Sequence, residues 1–117
     1  MKNLNFLKTF EMYNPDDKKG IIDQFDHMIK SVNACPFTKH LLTNALTIKQ
    51  IFILHGKEKS KEILDRLYVL QMELRENFSE ENDYQKYLEP KPNGLYWEPA
   101  AEYEVIVNLL KEQGWEN

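Results

Sequence analysis

The side chains that could bind a metal are spread along the chain rather than grouped. The nitrogen and sulfur ligands are His27, Cys35, His40 and His55, with Asp23 and Asp26 near the first of them. Zinc sites usually contain closely spaced pairs such as Cys-x2-Cys or His-x3-His, and the chain has neither. Asp23 and His27 are four residues apart, and we interpret them as a surface pair on one helix face. We therefore expect no metal and no other cofactor.

Residue types that serve nucleophilic catalysis are present, but not in a catalytic pattern. Cys35 precedes Pro36 at an expected turn, and His40 follows about one helical turn later. A catalytic pair also needs a thiolate-stabilising environment and a group that orients the histidine. We interpret Cys35 as a small buried side chain, which is the usual place of a free cysteine. The four glycines are far apart and form no phosphate-binding loop, so we expect that the protein is not an enzyme.

The charges are distributed unevenly along the chain, although the net charge is only −4. Residues 1–71 contain 11 Lys and Arg against 8 Asp and Glu, a balance of +3, whereas residues 72–117 contain 4 against 11, a balance of −7. Such asymmetry is typical of a surface that attracts a partner of opposite charge. Direct nucleic-acid binding is not expected, because the protein is acidic and has two arginines to contact phosphates.

Aromatic and acidic side chains are interleaved from residue 73 onward. They lie in the segments ELRENFSEENDYQKYLE, residues 73–89, and LYWEP, residues 95–99. Aromatic side chains within a charged rim are typical of surfaces that bind other proteins. We predict a partner-binding surface composed of Glu76, Glu80, Glu81, Asp83, Tyr84, Tyr87, Tyr96 and Trp97. As an alternative, the aromatic residues of this set close one end of the hydrophobic core.

The size and charge of the chain resemble those of several small acidic helical proteins that cover the phosphate-binding surface of a basic enzyme. These include bacteriocin and contact-inhibition immunity proteins, antitoxins and phage inhibitors, and no sequence motif of such a family is present. The resemblance implies stoichiometric binding that occludes a basic partner, such as a toxin or a nuclease. The alternatives are a homo-oligomeric, for example dimeric, regulatory or structural protein and a small metal-dependent enzyme.

Length and composition are those of one domain with its own core. The chain has 117 residues, of which 42% are hydrophobic. Its longest apolar run, residues 51–54, is far shorter than the ~20 residues that a membrane helix needs. The N-terminal residues lack the apolar block of a signal peptide, and one cysteine is consistent with a reducing compartment. We expect a cytoplasmic protein of bacterial or phage origin without a membrane segment.

Residues 60–78 form the longest uninterrupted periodic run and are predicted to be the central helix. Large apolar side chains recur there at steps of three or four, which places them on one helical face. They are Ile63, Leu67, Leu70, Leu74 and Phe78, and the face is widened by Leu64, Tyr68 and Met72. Neither Gly nor Pro interrupts the run, and Leu, Glu, Met and Arg are good helix formers.

Five or six helices in total are predicted to form a single all-α domain over residues 1–117, with a proline-rich loop before the last helix. The other predicted helices are residues 4–13, 15–34 and 36–55, a short helix that carries Tyr84, Tyr87 and Leu88, and residues 100–113. Residues 4–13 also fit a strand. The helix that begins at Pro15 should end before Pro36, because the residue that precedes a proline is disfavoured in helical conformation. Pro99 is expected to open the last helix.

Alternatives are open within residues 36–55. This run is one helix, or two helices with a break near residues 44–47, where Thr47 and Gln50 resemble a capping box. Residues 48–54 also fit a strand, because several are β-formers. The helical spacing and the final glycine favour a helix.

The last predicted helix has a well-defined ending. Gly114 directly precedes Trp115, and glycine readily adopts the left-handed conformation that ends many helices. In this Schellman arrangement, the residue after the glycine folds back on the helix. We therefore expect Trp115 to pack on Leu110.

Overall fold

The computed structural model describes residues 18–116 and consists of helices joined by short connections. The α-helices are α1 (Lys18–Ala34), α2 (Leu42–His55), α3 (Ser60–Ser79) and α4 (Pro99–Glu112). Three short 3₁₀ helices lie between them, at Lys39–Leu41, Gly56–Lys59 and Tyr84–Tyr87. The all-α prediction is confirmed, but the described residues contain fewer α-helices than the five or six predicted. The helix predicted over residues 4–13 lies outside the described residues.

Helix α3 is the central element, because it packs against both α2 and α4. Its apolar face enters one core that all four α-helices share. The buried side chains that α3 contributes are Ile63, Leu64, Leu67, Leu70, Gln71 and Leu74. The prediction that Met72 widens this face is wrong, since its side chain is 63% exposed. Met72 comes nine residues after Ile63, which is two and a half helical turns, so the two side chains lie on opposite sides of α3.

The turn between α1 and α2 is closed by a buried threonine. Helix α1 ends at Ala34, before Pro36, as predicted. Its buried residues have the expected helical spacing and include Phe25, Met28 and Val32. The hydroxyl of Thr38 donates a hydrogen bond of 2.9 Å to the carbonyl oxygen of Val32. This bond satisfies a carbonyl group at the end of α1 that no helical N–H can reach.

Helix α2 is continuous from Leu42 to His55, so residues 48–54 are helical and do not form a strand. The alternative of a break near residues 44–47 is wrong, because α2 continues through them. The helix favoured over residues 36–55 instead begins at Leu42, after the 3₁₀ helix at Lys39–Leu41. Thr47 is not a cap: its hydroxyl donates to the carbonyl oxygen of Thr43, one turn earlier in the same helix. Gly56, with φ of +57°, ends α2 as predicted.

The end of α4 is the predicted Schellman motif. The N–H of Trp115 donates to the carbonyl oxygen of Leu110 over 3.1 Å, and the N–H of Gly114 donates to that of Lys111 over 3.0 Å. Gly114 has a φ of +91°, which a residue with a Cβ atom rarely adopts. Trp115 is buried and stacks on Phe52 of α2, so this motif closes the core between α2 and α4.

Residues 89–98, which we call the proline loop, connect the last 3₁₀ helix to α4. Two backbone hydrogen bonds hold the loop in a hairpin-like form, from Lys91 N–H to Leu95 over 2.7 Å and from Trp97 N–H to Glu89 over 2.9 Å. Ser31 of α1 donates a further bond of 3.0 Å to the carbonyl oxygen of Trp97. The loop is therefore fixed against α1 immediately before α4 begins.

None of the helices in the described part of the chain has the length and apolar content needed to cross a bilayer.

Candidate functional site

Four exposed carboxylates surround the C-terminal end of α3 and are named here the acidic surface. They belong to Glu76, Glu80, Glu81 and Asp83. No ion pair between described residues includes any of these four side chains. The last carbonyl groups of a helix carry a partial negative charge. The end of α3 therefore adds to the negative potential of the four carboxylates. This end of the molecule is therefore suited to a positively charged partner.

An aromatic cluster lies directly beside the acidic surface. It consists of Phe37, Phe78, Tyr84 and Tyr87. Phe78 contacts Phe37 and Tyr84 edge to face, with centroid distances of 4.9 and 4.8 Å, which is a favourable geometry for aromatic pairs. These contacts fix the Tyr84–Tyr87 turn against the end of α3. Tyr87 is 37% exposed, so part of its ring is available to a partner.

The hydroxyl of Tyr84 is held in place by a second contact. It donates a hydrogen bond of 2.9 Å to Oε1 of Glu98, at the start of α4. This hydrogen bond is the main reason why the pKa of Tyr84 is raised above its usual value of 10.0, and partial burial and the negative charge of Glu98 act in the same direction. Tyr84 therefore links the aromatic cluster to α4.

The structure separates Trp97 from the rest of the predicted partner-binding set. Trp97 is 2% exposed and belongs to the core, so its side chain is not available to a partner and its predicted role as an anchor is wrong. The physical reason is that the proline loop turns this side chain towards α1, where it stacks on His27. For Trp97, the alternative that it closes the core is correct. Tyr96 is half-buried.

The residues considered for nucleophilic catalysis are not arranged for it. Cys35 is buried, and desolvation raises the pKa of its thiol above the usual 9.0, although a hydrogen bond with Thr38 opposes this shift. The burial predicted for Cys35 is confirmed. His40 is exposed, and no hydrogen bond between described residues joins the two side chains. A buried, protonated thiol is a poor nucleophile.

His27 pairs with Glu89 of the proline loop and not, as predicted, with Asp23. Nδ1 of His27 lies 2.6 Å from Oε1 of Glu89 in the proline loop. Among residues 18–116, no group of three or more His, Cys, Asp and Glu side chains is close enough together to hold a metal ion.

A cleft of about 620 Å³ lies between α1, α4 and the proline loop. Its walls are mostly apolar, and its polar side chains come from all three elements. The lining residues are Gln24, His27, Glu89, Pro90, Lys91, Pro92, Asn93, Trp97, Glu102, Val105 and Leu109. This volume is within the range of pockets that bind small molecules.

A buried ion pair lies in this cleft. Nζ of Lys91 donates to Oε2 of Glu102 over 2.5 Å, and Nε2 of Gln24 donates to Oε1 of the same carboxylate over 3.2 Å. The side chains of Lys91 and Glu102 are only 18% and 11% exposed. Removing two charges from water costs several kcal/mol for each ion, and the extra hydrogen bond offsets part of that cost.

One polar atom of this network has no partner. Gln24 is 1% exposed, and no described residue donates a hydrogen bond to its Oε1 atom. Buried polar atoms are nearly always hydrogen-bonded, because an unsatisfied one costs about 1–3 kcal/mol. The amide of Gln24 is therefore an acceptor that lacks a donor beside the cleft.

Sequence reasoning did not find this cleft. Gln24 and Glu102 are separated by 78 residues, and each has an ordinary position on a helix when the sequence is considered alone. The available signal was Lys91, which stands between two prolines and is therefore held on a stiff backbone. A charged side chain on so rigid a loop has a restricted set of positions, but the sequence does not indicate its partner.

Comparison with known proteins identifies no relative: no protein-family model, curated protein or solved structure matches the chain. The function proposed below therefore rests on the residues of this protein.

Proposed function

We propose that this protein acts by stoichiometric binding of a basic protein, through the acidic surface and the exposed ring of Tyr87. The observation that carries this proposal is the grouping of four exposed carboxylates at one end of α3. Among the described residues, some carboxylates elsewhere, such as Glu62 and Glu104, lie within an ion pair, and others, such as Glu112, do not. The four carboxylates of the acidic surface have no such partner within the described residues, and they stand next to a preformed aromatic cluster.

The proposed mechanism is occlusion rather than chemistry. A protein that acts on nucleic acid presents Lys and Arg side chains that contact phosphate groups. The carboxylates of the acidic surface would form ion pairs with those Lys and Arg side chains. The long-range attraction between the two charged surfaces would accelerate association. Tyr87 would then bury its remaining exposed ring area, as aromatic anchors do at protein interfaces. The protein would thus serve as an inhibitor or immunity protein of its partner.

The test uses two variants with the same net charge. The first is E80K/E81K/D83K, which reverses the acidic surface. The matched control is E58K/E112K/E116K, which reverses three exposed carboxylates near the opposite end of α3, where Ser60 contacts the backbone of Glu116. Each tagged protein is used to capture partners from an extract of the source organism at low ionic strength, and the captured protein is purified and identified.

The expected result is a basic protein that the native protein and the control variant retain and that E80K/E81K/D83K does not. Addition of the native protein at a 1:1 ratio should then abolish the partner's binding to nucleic acid, and added salt should weaken the complex. Equal capture by the native protein and E80K/E81K/D83K would contradict the proposal. So would a captured protein whose activity on nucleic acid is unaffected at saturation.

One observation favours self-association as a second candidate function. Val69 and Met72 are both exposed and lie three residues apart, on the side of α3 that faces away from the core. A second copy would cover these apolar side chains. Light scattering across a concentration range tests this candidate: a dimer mass that falls to the monomer mass in V69E/M72E supports it, and a monomer mass at high concentration contradicts it.

A further inference from the structure

We propose that residues 4–13 of the same chain pack, as a helix, into the cleft between α1, α4 and the proline loop. These residues lie outside the described part of the chain, and their place is inferred from their sequence and from the geometry of the cleft. The cleft is distinct from the acidic surface, so this docking does not depend on the function proposed above. The cleft is then a docking site for the chain's own N-terminal segment.

The segment has an apolar face that needs a surface to cover it. Leu4, Leu7 and Phe10 recur at steps of three, and Phe6 and Tyr13 widen the same face of a helix beside Phe10. An isolated helix of about ten residues is marginal in water, because helices gain most of their stability by packing an apolar face. The expected neighbour of this segment is therefore an apolar groove, as in other helix-in-groove contacts.

The cleft presents apolar side chains to a helix that enters it. Val105 and Leu109 line it from α4, and Pro90 and Pro92 line it from the proline loop. Val105 is exposed although it is apolar, so covering it would be favourable by about 25 cal/mol for each Å² of apolar area removed from water. The prolines make one wall stiff, which lowers the entropic cost of holding the cleft open.

Helix α1 forms one wall of the cleft and carries the chain back towards the segment. Gln24 contacts Glu102, and Ser31, one to two turns further along α1, contacts the carbonyl group of Trp97. Because Trp97 precedes Glu102 in the chain, α1 and α4 run antiparallel. The part of α4 that follows Glu102 also lines the cleft, so the cleft extends from the proline loop towards Lys18.

The length of the segment matches that of the cleft wall. His27, which contacts the proline loop, is nine residues from Lys18, or about 14 Å along α1. Residues 4–13 cover the same nine steps when they are helical. Residues 14–17 connect them to Lys18, and loops of about two to five residues commonly join antiparallel helices. Pro15 favours a break in this connection, since the residue that precedes a proline is disfavoured in helical conformation.

The opposite side of α1 is already covered by α2. Nζ of Lys49 lies 2.5 Å from Oδ1 of Asp26, and Nζ of Lys18 donates a hydrogen bond of 3.1 Å to the carbonyl oxygen of Ile53. A helix joined to Lys18 therefore packs on the side of α1 that faces the cleft. The short connection also gives the segment a millimolar effective concentration at the cleft, which a free ligand would have to overcome.

The experiment measures where the segment lies in the full-length protein. Asn3→Cys carries a nitroxide spin label at the start of the segment, and Cys35 stays unlabelled because it is buried. Paramagnetic broadening of ¹H–¹⁵N signals then identifies the amides that lie near the label. We expect the signals of Asn93 and Val105 to lose more than half of their intensity, whereas that of Val69, on the side of α3 that faces away from the core, should lose far less.

Two pairs of variants locate the contact. Phe10→Asp places a charge on the proposed contact face, whereas Asn5→Asp places the same charge on the opposite face of the helix. Val105→Asp changes the cleft wall, and Val69→Asp changes a valine outside the cleft; both valines are exposed, so the fold should remain. In the spin-labelled protein, F10D and V105D should reduce the broadening of the Asn93 signal at least threefold, and the two controls should leave it unchanged.

A mixed sample distinguishes the chain's own segment from that of a second copy. Native protein enriched in ¹⁵N is mixed with N3C protein that carries the spin label but no ¹⁵N. Broadening of the Asn93 signal in this mixture would show that the segment of one molecule enters the cleft of another and would contradict the proposal. An unchanged signal supports docking within one chain.

Equal broadening at Val105 and Val69 would overturn the proposal, as would the absence of broadening at both or unchanged broadening in F10D or V105D. The cleft would then be open to another molecule. E80K/E81K/D83K, with the same spin label, should show the broadening of the parent protein. The failure of the cleft proposal and that of the acidic-surface proposal are therefore distinguishable.

Discussion

The imidazole ring of His27 lies parallel to the indole ring of Trp97, with 4.4 Å between the centroids and 2° between the planes. Nδ1 of the same imidazole is 2.6 Å from Oε1 of Glu89. Glu89 begins the proline loop and Trp97 stands near its end, so one side chain of α1 holds both ends of the loop. This double contact, together with the bond from Ser31 to the carbonyl oxygen of Trp97, holds the proline loop that forms one wall of the cleft.

Replacement of His27 should loosen the proline loop. H27A removes the stack on Trp97 and the contact with Glu89, and we expect the free energy of unfolding to fall by about 1–2 kcal/mol, because Glu89 is partly solvated. H27F retains a stacking ring and should lose about half as much. Urea unfolding measures the stability of H27A and H27F. The control is H40A, which removes a histidine that is exposed. A loss in H27A no larger than that in H40A would contradict the double contact.

Two Tyr→Phe substitutions should change stability in opposite directions. The hydroxyl of Tyr103 is buried and has no hydrogen-bond partner among the described residues, so Y103F should raise the free energy of unfolding by about 1 kcal/mol. The hydroxyl of Tyr84 donates to Glu98, so Y84F should lower it by about 1 kcal/mol. Denaturant titrations at pH 7 compare the two variants, and a fall in stability for Y103F would show that its hydroxyl has a partner.

Stability should decrease in alkaline solution. Burial raises the pKa of Tyr103 above 10.0 and that of Cys35 above 9.0, so the native protein holds these protons more tightly than the unfolded chain does. Stability linked to such groups is fully present below their unfolded pKa values and is lost as the pH rises through their folded values. The free energy of unfolding should therefore fall from pH 9 to pH 11. Y103F should show a shallower fall, and an unchanged slope would exclude Tyr103 as a source.

Reversal of the acidic surface should leave the fold intact. The side chains of Glu80, Glu81 and Asp83 form no ion pairs with described residues, and lysine near a helix C-terminus interacts favourably with the helix dipole. E80K/E81K/D83K should therefore have a free energy of unfolding within about 1 kcal/mol of the native value, because the gain at the helix end is opposed by the strain of a lysine at position 83, where φ is +58°. A thermal melt in low salt tests this, and a clear decrease would assign these carboxylates a structural role.

The helices could be predicted from the sequence because their information is local. The spacing of Leu67, Leu70 and Leu74 indicates one buried face, Pro99 marks a helix start, and Gly114 marks an end. Each of these features depends on neighbours within a few residues. The prediction for Met72 is wrong because it counts Met72 with the buried face on the ground that its side chain is apolar. Its position on the helix, however, is on the side opposite to Ile63.

The cleft could not be predicted, because its contacts join distant parts of the chain. Trp97 lies in an extended segment, where successive side chains point to opposite sides, and the sequence does not show which side faces the core. The bond between Gln24 and Glu102 depends on how α1 and α4 pack. Of the predicted partner-binding residues, the four carboxylates and Tyr87 are exposed, and binding by them stays a prediction.

The distribution of charge along α3 has a consequence for how the molecule turns in solution. Lys57, Lys59 and Lys61 are exposed around its first turn, and the acidic surface lies at its last, about 30 Å away at 1.5 Å per residue. Glu58, Glu112 and Glu116 lie near those lysines and offset their charge, so the acidic surface is the main contributor. Its carboxylates have the same sense as the backbone dipole of the helix and therefore increase the permanent dipole moment of the protein. Near a positively charged body, such a molecule experiences a torque that rotates its acidic end forward before any contact is made.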